Sequence, residues 1–299
     1  MVTKRALADI KISVIIPFYN HYSTIFDALN SIKDQLIKPF EVIIIDDASS
    51  DEKKLKDCIS HFKKHLQIIL IRNTNNSNGA YSRNRGIKKA KGNLIAFLDA
   101  DDFWMPNKIS TIIDKVIENG SENIFFSKVK MKYKDKIIGF RPSRFSADIH
   151  ISEYLFLDDG FIQTSSIVCS KKIAEQVMFN EKFQRHQDYD FVLRAFQMGI
   201  TFKFINKELV VYRADIKPNL NKGEGYNFSK KWLSNMRKYM NEEGYWGFII
   251  FSLTNKLIAE RNYKKALFNL IKNLPSMRLR YIPKVFIKLS RLFIVHVKY

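Results

Sequence analysis

Residues 93–106 read NLIAFLDADDFWMP. A nearly continuous apolar run, Leu94 to Leu98, ends abruptly at Asp99; Asp101 and Asp102 follow before hydrophobicity returns at Phe103 and Trp104. An apolar run this short, with polar residues at both ends, predicts a strand covered on both faces, so the acids stand at its carboxyl end. Three runs of the same kind precede it: ISVII from Ile12, VIIID from Val42 and IILI from Ile68. Between the first two, Ile25, Leu29, Ile32 and Leu36 recur at helical spacing, and residues 51–65 and 79–91 read as two further amphipathic connectors. The order strand-helix repeated to a fourth strand predicts an α/β fold with a Rossmann-like, mostly parallel sheet flanked by helices.

In open sheets of this kind ligands bind beyond the carboxyl ends of the strands. Those ends are Pro17-Phe18-Tyr19-Asn20, Asp46-Asp47 and Asp99-Ala100-Asp101-Asp102. Carboxylates gathered at one sheet edge repel at neutral pH unless a cation or a proton relieves them, and a divalent metal is the economical explanation. Helix capping is the competing account. It suits Asp51 and Asn107, but two strand ends with adjacent acids exceed what capping needs. No glycine-rich phosphate loop follows the first strand, so a phosphate-bearing ligand would be held by metal and arginine.

Composition narrows the class. The chain has 299 residues, 46% of them hydrophobic, enough for a substantial core. Two cysteines, Cys58 and Cys169, give no disulfide framework, and residues 1–13 lack the apolar core of a secretory signal. A reducing, cytoplasmic compartment is the expectation. No apolar run reaches the ~20 residues that cross a bilayer. Cys58, His61 and His65 share a helix face but lack a fourth ligand for zinc, and read as a solvated face.

The net charge of +20 is concentrated at the end: from Lys230 onward there are fifteen Lys or Arg against Glu242, Glu243 and Glu260. This predicts a helical, basic C-terminal extension and an anionic partner. Lys284, Lys288 and Arg291 fall at i, i+4, i+7, with Val285, Phe286, Leu289, Leu292 and Phe293 on the other faces, the pattern of an interfacial helix as well as of an ordinary one packed on the catalytic domain. The expected partner is an anionic membrane surface. A basic nucleic-acid-binding α/β protein would also explain the charge. Against it, the acids sit where phosphate would approach and no base-reading motif is present, so nucleic acid is not expected as a partner.

Four segments, SVIIPFYN from Ser13, EVIIIDDASSD from Glu41, NGAYSRNRGIKKAKGNLIAFLDADDFW from Asn78 and HQDYDFVLRA from His186, occur in an order and at separations that resemble bacterial family 2 glycosyltransferases of GT-A fold, of the surface-polysaccharide type. The resemblance spans about residues 11–213. It implies a GT-A domain over residues 1–225, with a nucleotide-binding half at about 10–102 and an acceptor half at about 103–225, followed by the extension at 226–299. It also implies transfer of a sugar from a UDP-sugar donor to a hydroxyl of a saccharide acceptor, with inversion. The acceptor would be lipid-diphosphate-linked, and the enzyme peripheral on the cytoplasmic face of the inner membrane.

By the same resemblance, Pro17 and Tyr19 pack on the base, and Asp47 accepts the uracil ring N–H with Asp46 beside it. Arg83 lies near the nucleotide, where its guanidinium suits uracil or diphosphate oxygens. Asp99 and Asp101 form the D-x-D, with Asp101 the ligand of Mg²⁺ or Mn²⁺ and Asp99 the ribose or outer metal partner; Asp102 fits the first turn of the next element. Asp188 matches the general base; Gln163 to Ser166, which precede it, are placed to shape the acceptor cleft, although hydroxyls in a strand more often serve structure. The chain departs from the commoner pattern in carrying Gln187-Asp188 where Glu-Asp is usual. That departure raises an alternative, a catalytically inactive sugar-nucleotide-binding relative. Asp190 is the rival base, but two residues along a helix it should face away from Asp188.

Overall fold

A computed structural model describes residues 10–214 and 225–287. The chain forms two compact units, one of Met1–Arg144 with Ile162–Lys217 and one of Phe145–Phe161 with Pro218–Tyr299.

The first unit opens with β1 (Ile12–Phe18), α1 (Ile25–Lys33), β2 (Glu41–Asp46), α2 (Glu52–Ser60), β3 (Ile68–Arg72), α3 (Gly79–Lys89) and β4 (Leu94–Phe97), each on the run or periodicity that predicts it. The chain continues through β5 (Phe103–Trp104), α4 (Lys108–Asn119), β6 (Asn123–Tyr133) and β7 (Lys136–Arg141). After α5 (Ile151–Leu157), which lies in the second unit, come β8 (Val168–Ser170), α6 (Lys171–Val177), α7 (Gln187–Gln197) and β9 (Thr201–Arg213).

Among the described residues nine strands join one sheet, ordered β3-β2-β1-β4-β8-β6-β9-β5 with β7 on β6. Pairing is parallel over β3, β2, β1 and β4. Beyond that the sheet is mixed, because the short β8 runs antiparallel to both β4 and β6. Val14, Ile15 and Ile16 of β1 and Val42 to Ile45 of β2 are fully buried, which is why these strands read as unbroken apolar runs.

Gly86 sets how closely α3 lies on the sheet. A Cβ there would collide with the Ile15 Cγ2 methyl, in a core with no space to yield. Arg83, one turn earlier on the same helix, owes its position to this approach.

In the second unit α5 is followed by α8 (Tyr226–Met236), α9 (Glu242–Gly247), a π-helical stretch (Phe248–Leu253), α10 (Thr254–Ala259) and α11 (Tyr263–Asn273). α10 and α11 are separated by a turn in which Arg261 has φ 57°. Gly244 lets α9 lie against α5, because a Cβ would collide with the Ser152 hydroxyl. Residues after α11 pack back on this unit, with Met277, Tyr281 and Val285 clustered with Leu157, Ile250, Phe251 and Leu270.

Three exposed cations of this segment are matched by buried acids. Arg278 pairs with Glu243 at 2.6 Å, Arg280 with Glu153 at 2.9 Å and Lys284 with Asp158 at 2.6 Å. Lys288, Leu289, Arg291, Leu292 and Phe293 lie outside the described residues, so of the expected interfacial stripe only Lys284, Val285 and Phe286 are seen. Val285 is buried and Phe286 exposed. Among the described residues no helix is long and apolar enough to cross a membrane.

Candidate active site

β1 pairs with β2 on one side and β4 on the other, so the chain winds away from β1 in one direction and returns through β4 in the other. The carboxyl ends of β1 and β4 therefore flank the topological switch point, where a ligand crevice forms. Pro17 and Tyr19 stand at the first of these ends, each half-buried. Among the described residues no hydrogen-bonding group or ring pairs with the Tyr19 side chain.

Asp46 and Asp47 part company at the end of β2. Asp46 is fully buried; it accepts from Arg72 Nη1 at 2.5 Å and from Ser49 N at 3.0 Å, which ties down the strand end. Asp47, also buried, accepts from Asn73 Nδ2 at 2.6 Å, Ser77 N at 2.9 Å and Asn78 N at 2.8 Å. Asn78, at φ 90°, in turn caps α3 by accepting from Ala80 N and Tyr81 N. Asp47 thus fixes the loop that aims Arg83. Of the ~4 acceptor positions on a carboxylate, three are used internally, leaving room for one more donor.

Asp99, Asp101 and Asp102 place carboxylate oxygens within 4.8 Å of one another. Asp102, expected in the first turn of the next element, is instead buried among the site's own polar groups, at 1% exposure. It accepts from Gln163 Nε2 at 2.7 Å, Ser165 Oγ at 2.6 Å and Arg213 N at 3.3 Å. Burial first, and the charges of Asp101 and Asp99 next, raise the Asp102 carboxyl well above its usual range. Asp101 is raised for the same reasons, burial and then Asp99, and His21 partly offsets this. Among the described residues no other side chain hydrogen-bonds to Asp101. Asp99 pairs with Arg83 Nη2, and its backbone N–H donates to Ser165 Oγ at 3.0 Å. A set of hard oxygen donors under mutual repulsion fits a divalent cation, which Asp101 and Asp99 could hold.

Arg83 spans the site. Besides Asp99, it donates through Nη1 to Gln187 Oε1 at 2.8 Å, and its guanidinium lies 5.3 Å from the Phe179 ring centre. Its Nε is buried without a partner. Gln187 opens α7, and Asp188 follows. Asp188 is half-buried, and the protein packed around its carboxyl pushes it up to about 6. Arg83 and the Tyr189 N–H at 2.9 Å pull it down, whereas Asp99 pushes it up, so these groups share one field. Asp190 is different. It is fully buried, with both oxygens on Arg194, and braces α7 to the turn at Val177 and Met178.

Tyr212, near the end of β9, carries no signal in the sequence. Burial raises its hydroxyl to about 12, and Asp102, Asp101, Asp99 and Asp188 each add to the rise, which puts Tyr212 within electrostatic reach of every acid of the site. Gln163 and Ser165 hydrogen-bond to the acids of the site: both donate to Asp102, and Ser165 Oγ accepts from the Asp99 N–H. For His21 the only sequence signal is its place in the loop after β1.

An open sheet with acids and an arginine at its switch point, and a half-buried carboxyl of raised pKa in the same field, fits a nucleotide-dependent transferase of the GT-A kind. The chain belongs to glycosyltransferase family 2: the Glycosyl transferase family 2 model matches residues 13–178. It is 34% identical over 254 residues to the amylovoran biosynthesis glycosyltransferase AmsB of Erwinia amylovora, covering 83% of this chain and 84% of that protein. It is 32% identical over 203 residues to the UDP-Glc:alpha-D-GlcNAc-diphosphoundecaprenol beta-1,3-glucosyltransferase WfaP of Escherichia coli, covering 68% of this chain and 76% of that one. The crystal structure of S. aureus TarS 1-349 in complex with UDP-GlcNAc superposes with a TM-score of 0.65 at 18% identity, covering 91% of this chain and 82% of that chain, a likeness of fold. The protein is an inverting, metal-dependent family 2 glycosyltransferase related to enzymes of surface-polysaccharide biosynthesis.

Proposed function

We propose that the chain transfers a sugar from a UDP-sugar to a hydroxyl of a lipid-diphosphate-linked saccharide, working at the cytoplasmic face of the inner membrane. The observation that carries this is the Arg83 bridge, which joins the D-x-D acid Asp99 to the segment that bears Asp188. WfaP, by its name, uses UDP-Glc and a diphosphoundecaprenol acceptor, and TarS binds UDP-GlcNAc. These support a uridine donor and a lipid-linked acceptor here.

In this reading Tyr19 stacks on the uracil, while Asp47 takes the ring N–H at its remaining acceptor position. Asp101 and Asp99 would hold Mg²⁺ or Mn²⁺, which when bound supplies charge neutralisation for the diphosphate leaving group. Arg83, already poised between Asp99 and Gln187, turns toward the diphosphate oxygens as a cation that needs no deprotonation. Asp188 accepts the proton of the attacking hydroxyl. A base with pKa near 6 is ionised at neutral pH, yet holds a proton better than an ordinary carboxylate, which suits proton removal during attack. The acceptor oxygen–C1 bond forms as the C1–O bond to UDP breaks, so the anomeric centre inverts and UDP departs. A good leaving group makes a second, protonated carboxyl unnecessary, unlike glycoside hydrolysis.

The test is a panel of sugar nucleotides with a lipid-linked saccharide acceptor, following release of nucleoside diphosphate. UDP release that depends on acceptor is expected. Preferential use of GDP-sugars would overturn the uridine assignment, and tight UDP binding without turnover on any acceptor would favour the inactive relative.

A further inference from the structure

Helix α11 is turned the wrong way round for a surface helix. Its inward side carries Ala266, Leu270 and Asn269, the last donating to Ile249 O and Thr254 Oγ1, both at 3.0 Å. Its large apolar side chains look out: Leu267 is 56% exposed, Phe268 64% and Ile271 66%. At 100° per residue these three, with Tyr263, span one continuous outward sector, and Lys264 and Lys272 lie in or beside it. A helix that ends at solvent puts charged residues in that sector, so this face is built to be covered.

Charge decides what covers it. From Tyr263 to Ile287 the sequence has six Lys or Arg and no Asp or Glu. Of the six, Arg278, Arg280 and Lys284 are matched by acids of the same unit and Lys265 lies over Tyr226, whereas Lys264 and Lys272 have no anionic partner among the described residues. Leu279, Phe286 and Ile287, also exposed, extend the apolar surface of this segment. A second copy placed face to face would oppose lysine to lysine with no acid between. An anionic bilayer supplies both an apolar layer for the rings and phosphates for the lysines.

We propose that the outward face of α11, with Leu267, Phe268 and Ile271 inserted and Lys264 and Lys272 on the phosphates, is the surface by which this protein docks on anionic lipid. This deepens the membrane-facing part of the proposed function and rests on it, but moves the contact from the expected Lys284, Lys288 and Arg291 stripe to α11.

The test is sedimentation of the full chain with phosphatidylglycerol-phosphatidylcholine vesicles, beside thermal melting, UDP binding and analytical ultracentrifugation. Phe268→Glu with Ile271→Glu is expected to lower partitioning at least tenfold with melting and UDP affinity unchanged. Lys264→Ala and Lys272→Ala should each lower it about fivefold at low salt, and less at high salt. A gentler pair, Leu267→Ser with Phe268→Ser, guards against misfolding and should weaken binding at every salt concentration. The proposal is overturned if the full chain ignores anionic vesicles or if these variants bind them as before. It is equally overturned if the glutamate pair lowers the melting temperature, which marks a face packed within the chain, or dissolves a dimer, which marks a subunit interface. UDP affinity, read without vesicles, tests the donor reading separately.

Discussion

Arg83 Nη1 donates to Gln187 Oε1 at 2.8 Å while Gln187 Nε2 donates to Phe183 O at 2.7 Å, so the amide uses both of its ends. A glutamate, the commoner residue at this place, could take the arginine but would face the Phe183 carbonyl with no proton. The amide therefore positions Arg83 without adding a charge next to Asp188.

Gln187→Glu adds that charge. A like charge one residue away disfavours ionisation, so the Asp188 pKa should rise further from about 6. The acid limb of the kcat/KM profile is expected to move to higher pH by roughly one unit, because the base must lose its proton to act. An unmoved limb would mean that Asp188 does not govern it.

Asp188 and Asp190 should fail differently when replaced. Asp188→Asn is expected to keep UDP affinity and lose transfer by ~10²-fold or more, as removal of a general base does. Asp190→Ala leaves the Arg194 cation without its buried carboxylate and should cost about 3 kcal/mol of stability. Thermal melting with single-turnover kinetics separates the two; normal chemistry in Asp188→Asn would remove it as the base.

The contrast shows what the sequence could carry. β1, β2 and β4 are legible because burial on both faces leaves continuous apolar runs, and Asp99 and Asp101 are legible because such a run ends at them. Asp46 and Asp47 look alike in sequence, yet one is spent on Arg72 and the other on the loop to Asn78, since only the paired strands reveal where each carboxylate lies. Gln163 and Ser165, in the turn just before β8, and Tyr212 on β9 reach the acids because of strands whose places depend on long-range pairing that no local periodicity records. The turn at Arg261, by contrast, is legible as a polar break between two apolar stretches.

Metal should bind through Asp101 more than through Asp102. Asp101→Asn is expected to weaken Mn²⁺-dependent UDP binding at least tenfold, by loss of a charged ligand oxygen. It also removes one of three repelling carboxyls, so the metal-free protein should melt higher at neutral pH. Titration calorimetry with and without Mn²⁺ reads the first effect and scanning calorimetry the second. UDP affinity equally sensitive to Mn²⁺ in the variant would assign the ion elsewhere.

Asp188 also predicts how stability changes with pH. Its folded pKa, about 6, lies above the usual 3.8 because burial disfavours the ion. Between those values the folded chain holds more proton than the unfolded one, so this group makes stability fall as pH rises through the window, and the full penalty remains above it. Asp188→Asn removes an ion whose desolvation the Tyr189 N–H and Arg83 offset only in part. The variant is expected to be more stable than the parent at pH 7.5, by on the order of 1 kcal/mol. That advantage should shrink as pH falls from 6 toward 4, where the parent's carboxyl takes up its proton. Denaturant melts at a series of pH values give the difference directly. A difference that does not vary between pH 4 and 7.5 would show that Asp188 is ionised as easily as an exposed aspartate, and the pKa argument for its role as base would fall with it.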